Sequence, residues 1–329
     1  MLKSSSKNIK WAILGLGKIA SKMAQDLQLS HRSQLWAVAS RSSDKAQNFA
    51  QQFGAAKYYS SYSELCTDPD VDIVYIATPH AFHYEHSLLA LRNGKAVLCE
   101  KPIGMNRKEV EALIAEAKSQ NCFLMEGLWT RFIPGFQAAA NLIEEGSIGR
   151  IQIIEANFSF KATYDPSSRL FDPKLGGGAL RDIGIYPLYL SLHLLGIAPK
   201  MNLEAKLDAN GIDRACRLIL DYSSNQLADL NCSFLETRPV EATIYGSEGK
   251  LHLKHRFHHC EQFVLHQNGL AKEYQLPMRG FGYYHEIEEV ENCLMAGLLQ
   301  SDKHSWNDSL RLSNEIDRAL QIMDQIAKP

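Results

Sequence analysis

Lys10–Ala20 reads KWAILGLGKIA. An apolar run stops at Gly15, a second glycine follows at Gly17, and the small Ala20 opens an amphipathic stretch that continues to Leu29. In a dinucleotide-binding fold the first glycine makes the strand-to-helix turn. The second lets the backbone approach a pyrophosphate, and a small third residue lets helix and strand pack closely. The N–H groups of the helix start, here over Gly17, Lys18, Ile19 and Ala20, then face the phosphates. Alone, the pattern is one Gly-rich turn among many. Its place at the head of an alternating series is what gives it weight.

The alternation runs on through Met125. Gln34–Ala39, Val71–Ala77, Ala96–Cys99 and Phe123–Met125 are apolar runs and predicted strands. Asp44–Phe53, Tyr84–Arg92 and Arg107–Ser119 lie between them with helical spacing. Continuous apolar strands separated by helices describe a parallel sheet covered on both faces, so residues 1–128 are expected to form a doubly wound α/β Rossmann domain. Beyond that the pattern changes. Ile151–Phe160, Ala215–Asp221, Leu227–Phe234, Glu241–Tyr245, Lys250–Lys254, Gln262–His266 and Glu273–Leu276 read as consecutive short strands. Turn residues separate several of them, at Ser223-Ser224-Asn225, Gly246–Gly249 and Asn268-Gly269. Helical stretches are expected at Pro134–Glu145, Ala179–Leu195, Tyr284–Leu299 and Asn307–Ile326. This predicts an α+β domain over residues 129–329 with a large, mainly antiparallel open sheet. A sheet with one bare apolar face marks an interface, so a homodimer through the strands between Ala215 and Leu276 is expected.

A length of 329 residues suits two domains. Hydrophobic residues at 45% and charged residues at 22% exclude a disordered or fibrous chain. Lys plus Arg number 35 against 37 Asp plus Glu, for a net charge of -2, so there is no basic excess to recruit nucleic acid. No uncharged apolar run reaches the roughly 18 residues that span a bilayer. MLKSSSKNIK has positive charge with no apolar segment behind it, so neither membrane nor secretion is expected. Seven cysteines, an odd count with no C-x-x-C, argue against a disulfide framework or zinc site and for a cytoplasmic location.

Four further places carry chemistry. About 20 residues past the glycines an NAD enzyme sets an Asp or Glu on the ribose hydroxyls. Here that place reads Ala39-Ser40-Arg41-Ser42-Ser43. An arginine among hydroxyls, Ser40 included, suits a 2′-phosphate, because guanidinium pairs bidentately with phosphate oxygens. NADP is therefore expected over NAD; the plainer alternative is a solvated loop arginine. Thr78, Pro79, His80 and His83 follow the Val71–Ala77 run, at the strand end where open α/β sheets bind ligands. With His86 they include three histidines in seven residues, but no carboxylate or cysteine completes a ligand set, so no metal is expected. Cys99-Glu100-Lys101-Pro102 ends the next run. A lysine there polarises a substrate oxygen or lowers a neighbouring acid's pKa. Finally, GGGALRDIGIYP (residues 176–187) sets Asp182 and Tyr186 one helical turn apart. Tyrosine serves as acid/base when a cation stabilises its phenolate; without context, a tyrosine in an apolar helix belongs to the core.

Together GLGKIA, ATPHAFH (77–83), GKAVLCEKP (94–102) and GGGALRDIGIYP resemble the glucose–fructose oxidoreductase / inositol dehydrogenase / MocA family. The chain looks most like its branch of dimeric dihydrodiol dehydrogenases and NADP-dependent D-xylose dehydrogenases. EGLWTRF (126–132) and GFGYYHEIEEVENCLMAGLLQS (280–301) point to the same branch, and the resemblance spans residues 9 to 326. It implies an N-terminal Rossmann domain and a C-terminal domain with a large open sheet. It also implies roles: Lys101, beside Glu100, as the lysine of the E-K-P motif, Tyr186 as acid/base and Asp182 as an active-site carboxylate. Trp129, with Arg131 near it, would line the substrate pocket, and Arg41 would meet the adenine or 2′-phosphate of NADP. Inositol-type members carry a histidine where Tyr186 stands, which turns the expectation away from inositols.

The expected reaction is hydride transfer between NADP and a secondary alcohol or hemiacetal carbon of a sugar, polyol or trans-dihydrodiol. Two alternatives stand beside it. One is an imine or conjugated-ring reductase on the same scaffold. The other is a non-catalytic NADP-binding sensor, which predicts loss of Lys101 or Tyr186.

Overall fold

In β1 (Ile9–Leu14), Trp11, Ala12, Ile13 and Leu14 are all fully buried. Trp11 and Ile13 belong to one hydrophobic cluster, Ala12 and Leu14 to another. Alternate side chains thus enter two cores, as they must in a sheet covered on both faces. The structure, a computed structural model, describes residues 8–222 and 225–327. The MLKSSSK lead and the Ser223-Ser224 part of the expected turn lie outside the described residues.

Two units form. The first comprises residues 1–132 and 279–310, the second residues 133–278 and 311–329. In the first, β1 is followed by α1 (Lys18–Leu27), β2 (Ser33–Ala39), α2 (Ser43–Phe53), β3 (Lys57–Tyr59) and α3 (Tyr62–Thr67). Then come β4 (Ile73–Ile76), α4 (His83–Arg92), β5 (Ala96–Glu100), α5 (Arg107–Gln120) and β6 (Leu124–Gly127). The sheet order is β3-β2-β1-β4-β5-β6, with every pair parallel. The order reverses between β1 and β4, which puts the glycine turn at the crevice where such sheets bind nucleotides. The expected Rossmann domain is present. β3 and α3 have no apolar run to announce them; β3 is a three-residue edge strand, KYY, half exposed.

The second unit contains α6 (Pro134–Glu144), β7 (Ile151–Ser159), α7 (Ile185–Leu195), β8 (Lys200–Leu207), β9 (Asp213–Tyr222) and β10 (Gln226–Ser233). It continues with β11 (Glu241–Gly246), β12 (Gly249–Leu253), β13 (Gln262–Gln267) and β14 (Leu270–Gln275). Its eight strands run β14-β13-β12-β11-β7-β10-β9-β8, and only β7 with β10 is parallel. The sheet is mainly antiparallel, as expected. β8, KMNLEAKL, buries Met201 and Leu203 in strict alternation, a signal the strand reading passed over. One face is covered, with Ile154, Ala156, Leu230 and Ile244 buried. The other is mixed, with Ile153 38% exposed beside paired polar groups, and not the bare apolar face expected. Arg217 grips Asp229 with two bonds of 2.8 and 2.6 Å, Tyr245 donates to Glu155 at 3.0 Å, and His252 lies 3.2 Å from Glu241. Pairing these groups within the face removes the apolar argument for an interface.

Two stretches depart from the sequence reading in ways that bear on the site. Residues 279–310 group with the first unit, although the boundary at 129 assigns them to the second. The cause is α8 (Tyr283–Met295): Tyr283, Ile287, Val290 and Cys293 share a core with Trp11 and Met23. Asp26 of α1 accepts the Phe281 and Tyr284 N–H groups at 2.8 and 3.1 Å. The last helix, α9 (Trp306–Ala327), contributes residues to both units. The second departure is at 179–195, expected as one α-helix. Leu180–Gly184 forms a π-helical turn before α7 starts. A Cβ at Gly184 would stand 2.8 Å from the Cys232 sulfur, so this turn packs against β10 at a place open only to glycine. Such widened turns recur at functional sites.

Candidate active site

The glycine turn shows two different uses of glycine. Gly15 has φ of +92°, and a Cβ there would lie 2.7–2.9 Å from atoms of Thr78 and Ala77. It seats the turn on the end of β4. A Cβ at Gly17 would meet nothing within 4 Å, so the surface there is an open cradle that a ligand can approach down to the backbone. α1 starts with no side-chain cap and no acid in its first turn, and Lys18 and Ile19 are exposed. A helix start of this kind favours an anion. The residues present fit the pyrophosphate of a dinucleotide.

At the end of β2, Ser40 is buried and Arg41 exposed, while Ser42 caps α2 by accepting the Lys45 N–H at 3.3 Å. The charge of Arg41 reaches two half-buried rings. Burial pushes the Tyr62 hydroxyl up and the His86 imidazole down; Arg41 works against the first shift and with the second. Tyr62 meets His86 edge-on at 4.8 Å, Phe82 stacks on His86 at 5.8 Å, and His86 Nδ1 lies 3.0 Å from the Thr78 hydroxyl. This aromatic group beside Arg41 escaped the sequence reading. Tyr62 comes from an unremarkable short helix, and His86 stood out only as a third histidine.

The residues after β4 have separate fates. Thr78 and His80 are each 9% exposed. His83 is fully buried, with its ring nitrogens 2.7 Å from the Thr78 and Pro102 carbonyl oxygens. It braces the protein interior and does not present a nitrogen to a ligand. Burial lowers its pKa, and nearby Lys101 adds to this against the two carbonyls. Glu100, at the end of β5, accepts a very short bond from the Tyr75 hydroxyl, whose proton is held firmly because burial raises that group far above its ordinary range. Lys101 follows, nearly buried. Trp129 begins a short 3₁₀ turn after β6 and stacks on Tyr283 at 5.1 Å. Arg131, on the same turn, donates from Nε to the Lys303 carbonyl at 2.7 Å.

In the second unit, Asp182 Oδ1 accepts a 2.9 Å bond from the exposed Arg169. The Tyr186 ring is flanked by His258 at 5.0 Å and Phe158 at 5.6 Å. The start of this segment is set by Asp213, which accepts the Leu180 N–H at 2.6 Å. Gly178 has φ of +123°, and a Cβ there would come within 2.3 Å of Asp213 Oδ1. Burial pushes the Asp213 carboxyl up to about 6.

A nucleotide-type sheet with an open glycine cradle, followed by a sheet domain holding a nearly buried Asp and Tyr, defines the class: a two-domain oxidoreductase that binds a dinucleotide. Residues 9–128 match an oxidoreductase family with an NAD-binding Rossmann fold, and residues 136–252 match the GFO/IDH/MocA C-terminal domain. Over 326 residues the chain is 35% identical to a trans-1,2-dihydrobenzene-1,2-diol dehydrogenase of Xenopus tropicalis, covering 95% of this chain and 97% of that protein. The human protein of the same name is 34% identical over 329 residues, covering 95% and 97%. A 3-ketoreductase from Actinomadura kijaniata, solved with NADP and TDP-benzene, superposes with a TM-score of 0.85 at 25% identity, covering 96% and 98% of the two chains. The chain belongs to the GFO/IDH/MocA oxidoreductase family.

Proposed function

We propose that this protein is an NADP-dependent dehydrogenase acting on a secondary alcohol or hemiacetal carbon of a trans-dihydrodiol, sugar or polyol. One observation carries the reading. A chain that matches diol dehydrogenases along nearly its whole length carries Lys101, Asp182 and Tyr186 at 8%, 8% and 7% exposure.

The bound cofactor supplies the hydride acceptor at its nicotinamide ring. The protein's own residues do the rest. Gly17 and the first turn of α1 hold the pyrophosphate, and Arg41 takes the 2′-phosphate. Tyr186, as its phenolate, would accept the proton of the reacting hydroxyl at its phenolic oxygen. Lys101 is the cation that stabilises the charge left on the substrate oxygen. Asp182, paired with Arg169, accepts a hydrogen bond from a neighbouring hydroxyl. The reading includes a homodimer and a cytoplasmic location; seven buried cysteines, held as free thiols, support the latter. The test is a panel of trans-1,2-dihydrobenzene-1,2-diol, D-xylose and D-glucose with NADP or NAD, followed by nicotinamide absorbance. Turnover of the diol or a sugar with NADP is expected. No turnover with any of them sinks the reading.

A further inference from the structure

The backbone around Lys101 is gripped by buried side chains that no step above uses. Glu126 is 3% exposed on β6, directly opposite Cys99 of β5. Its Oε1 accepts the N–H of Ile103, two residues past Lys101, at 3.0 Å. Its Oε2 lies 3.3 Å from Nε2 of the buried His304, which the Ser309 hydroxyl also approaches at 3.3 Å. His83 holds the intervening residue: one ring nitrogen meets the Pro102 carbonyl, and the other meets the Thr78 carbonyl beside the glycine turn. The next position on β6 tightens the same contact. A Cβ at Gly127 would stand 3.2 Å from the Cys99 carbonyl oxygen and 3.5 Å from the Glu100 Cα, so the strands approach closely there.

A buried N–H needs an acceptor, and a backbone carbonyl is the usual one. Here the acceptor is a side-chain carboxyl oxygen from the neighbouring strand. Two ionisable groups are thus placed on consecutive residues after Lys101. We propose that Glu126 and His83 are positioning residues: they fix the Pro102–Ile103 backbone against β6 and the Thr78 turn, and so set where the Lys101 ammonium stands relative to the cofactor. The proposal rests on the reading of Lys101 as the catalytic cation.

The test is a double-mutant cycle on single-turnover hydride transfer, with NADP and trans-1,2-dihydrobenzene-1,2-diol. A displacement near 1 Å costs about 10²-fold, so Glu126→Ala should slow transfer by roughly 10- to 100-fold. The dissociation constant for NADP should move far less. Glu126→Gln keeps an acceptor oxygen for Ile103 and should recover most of the lost rate. In a Lys101→Met background, Glu126→Ala should add less than about a twofold loss, because residues that act through one another do not add. Full additivity in that background means the Glu126 effect is merely structural and overturns the proposal; so does a wild-type rate in Glu126→Ala. If Glu126→Ala does not fold, His83→Asn, which gives up one of the two carbonyl contacts, carries the same cycle with the same criteria. A Lys101→Met enzyme as fast as wild type, or a wild type inert toward the diol and both sugars, instead sinks the underlying reading and the positioning role with it; a wild type active only on a sugar carries the same cycle with that sugar.

Discussion

Arg41 stands exposed at the end of β2 among hydroxyls, where a carboxylate would select NAD. Arg41→Ala should weaken NADP binding by about 10- to 100-fold, the worth of a charge-assisted bond, and leave NAD nearly untouched. Equal losses for both cofactors would show that the arginine does not read the 2′-phosphate. Tyr186 allows a sharper test. Tyr186→Phe keeps the ring against His258 and Phe158 and removes only the hydroxyl. Turnover should fall by roughly 10²–10⁴-fold with cofactor affinity unchanged. A tyrosine that merely packs would instead lower the melting temperature and leave the rate per folded molecule intact. At this scale residue type was readable from the sequence, but surroundings were not. His83 and Thr78 sit in one motif, yet His83 is fully buried against two carbonyls. The motif reports spacing along a chain; burial depends on what packs over it.

Among the elements, the π-helical turn Leu180–Gly184 is the one whose shape matters most, since it carries Asp182 and leads into Tyr186. Its start depends on Gly178, whose backbone is left-handed and whose Cβ position Asp213 occupies. Gly178→Ala should therefore destabilise the protein by about 1–3 kcal/mol or more through backbone strain, and should slow turnover by displacing Asp182. Calorimetry and steady-state rates measure both; an unchanged melting temperature would mean the loop relaxes freely. The GGG run advertised an unusual backbone, but the π turn was invisible, because it packs against β10, distant in sequence. β3 and α3 were unreadable for a similar reason. Short edge elements bury too little to leave a periodic signature.

Across the whole molecule the buried carboxyls give stability a pH dependence. Glu286 on α8 is fully buried, and among the described residues neither of its oxygens meets a hydrogen-bond partner. Burial pushes its pKa well above the ordinary carboxyl range, with Glu100 and Asp26 adding to the shift. A carboxyl raised in this way binds more protons folded than unfolded. Its contribution is complete below the unfolded value and is lost as pH rises toward the folded one. Asp213 acts in the same sense between its ordinary value of 3.8 and about 6. Glu286→Gln should therefore raise the melting temperature at mildly alkaline pH and change it little near pH 4. A gain of the same size at both pH values would contradict the assignment. Assembly is tested by light scattering at micromolar concentration, where a dimer mass is expected and a monomer mass would end that part of the proposal. Because the open sheet face carries paired charges such as Arg217 and Asp229, an interface there should show a salt dependence.

The sequence alone determined the Rossmann half. Its strands other than the edge strand β3 are buried on both faces, so each is an apolar run, and the glycine spacing follows from local backbone geometry at one turn. It also determined that the second sheet is mainly antiparallel, since short strands joined by tight turns have few other ways to pair. Only the tertiary structure decided where residues 279–310 belong. The apolar stripe of α8 is visible in the sequence, but the core that covers it, around Trp11 and Met23, lies far away along the chain. The same holds for the group around Lys101. Glu126, His83 and His304 are unremarkable singly, and become a set only because β5 and β6 run side by side and bring one carboxylate to the Ile103 N–H.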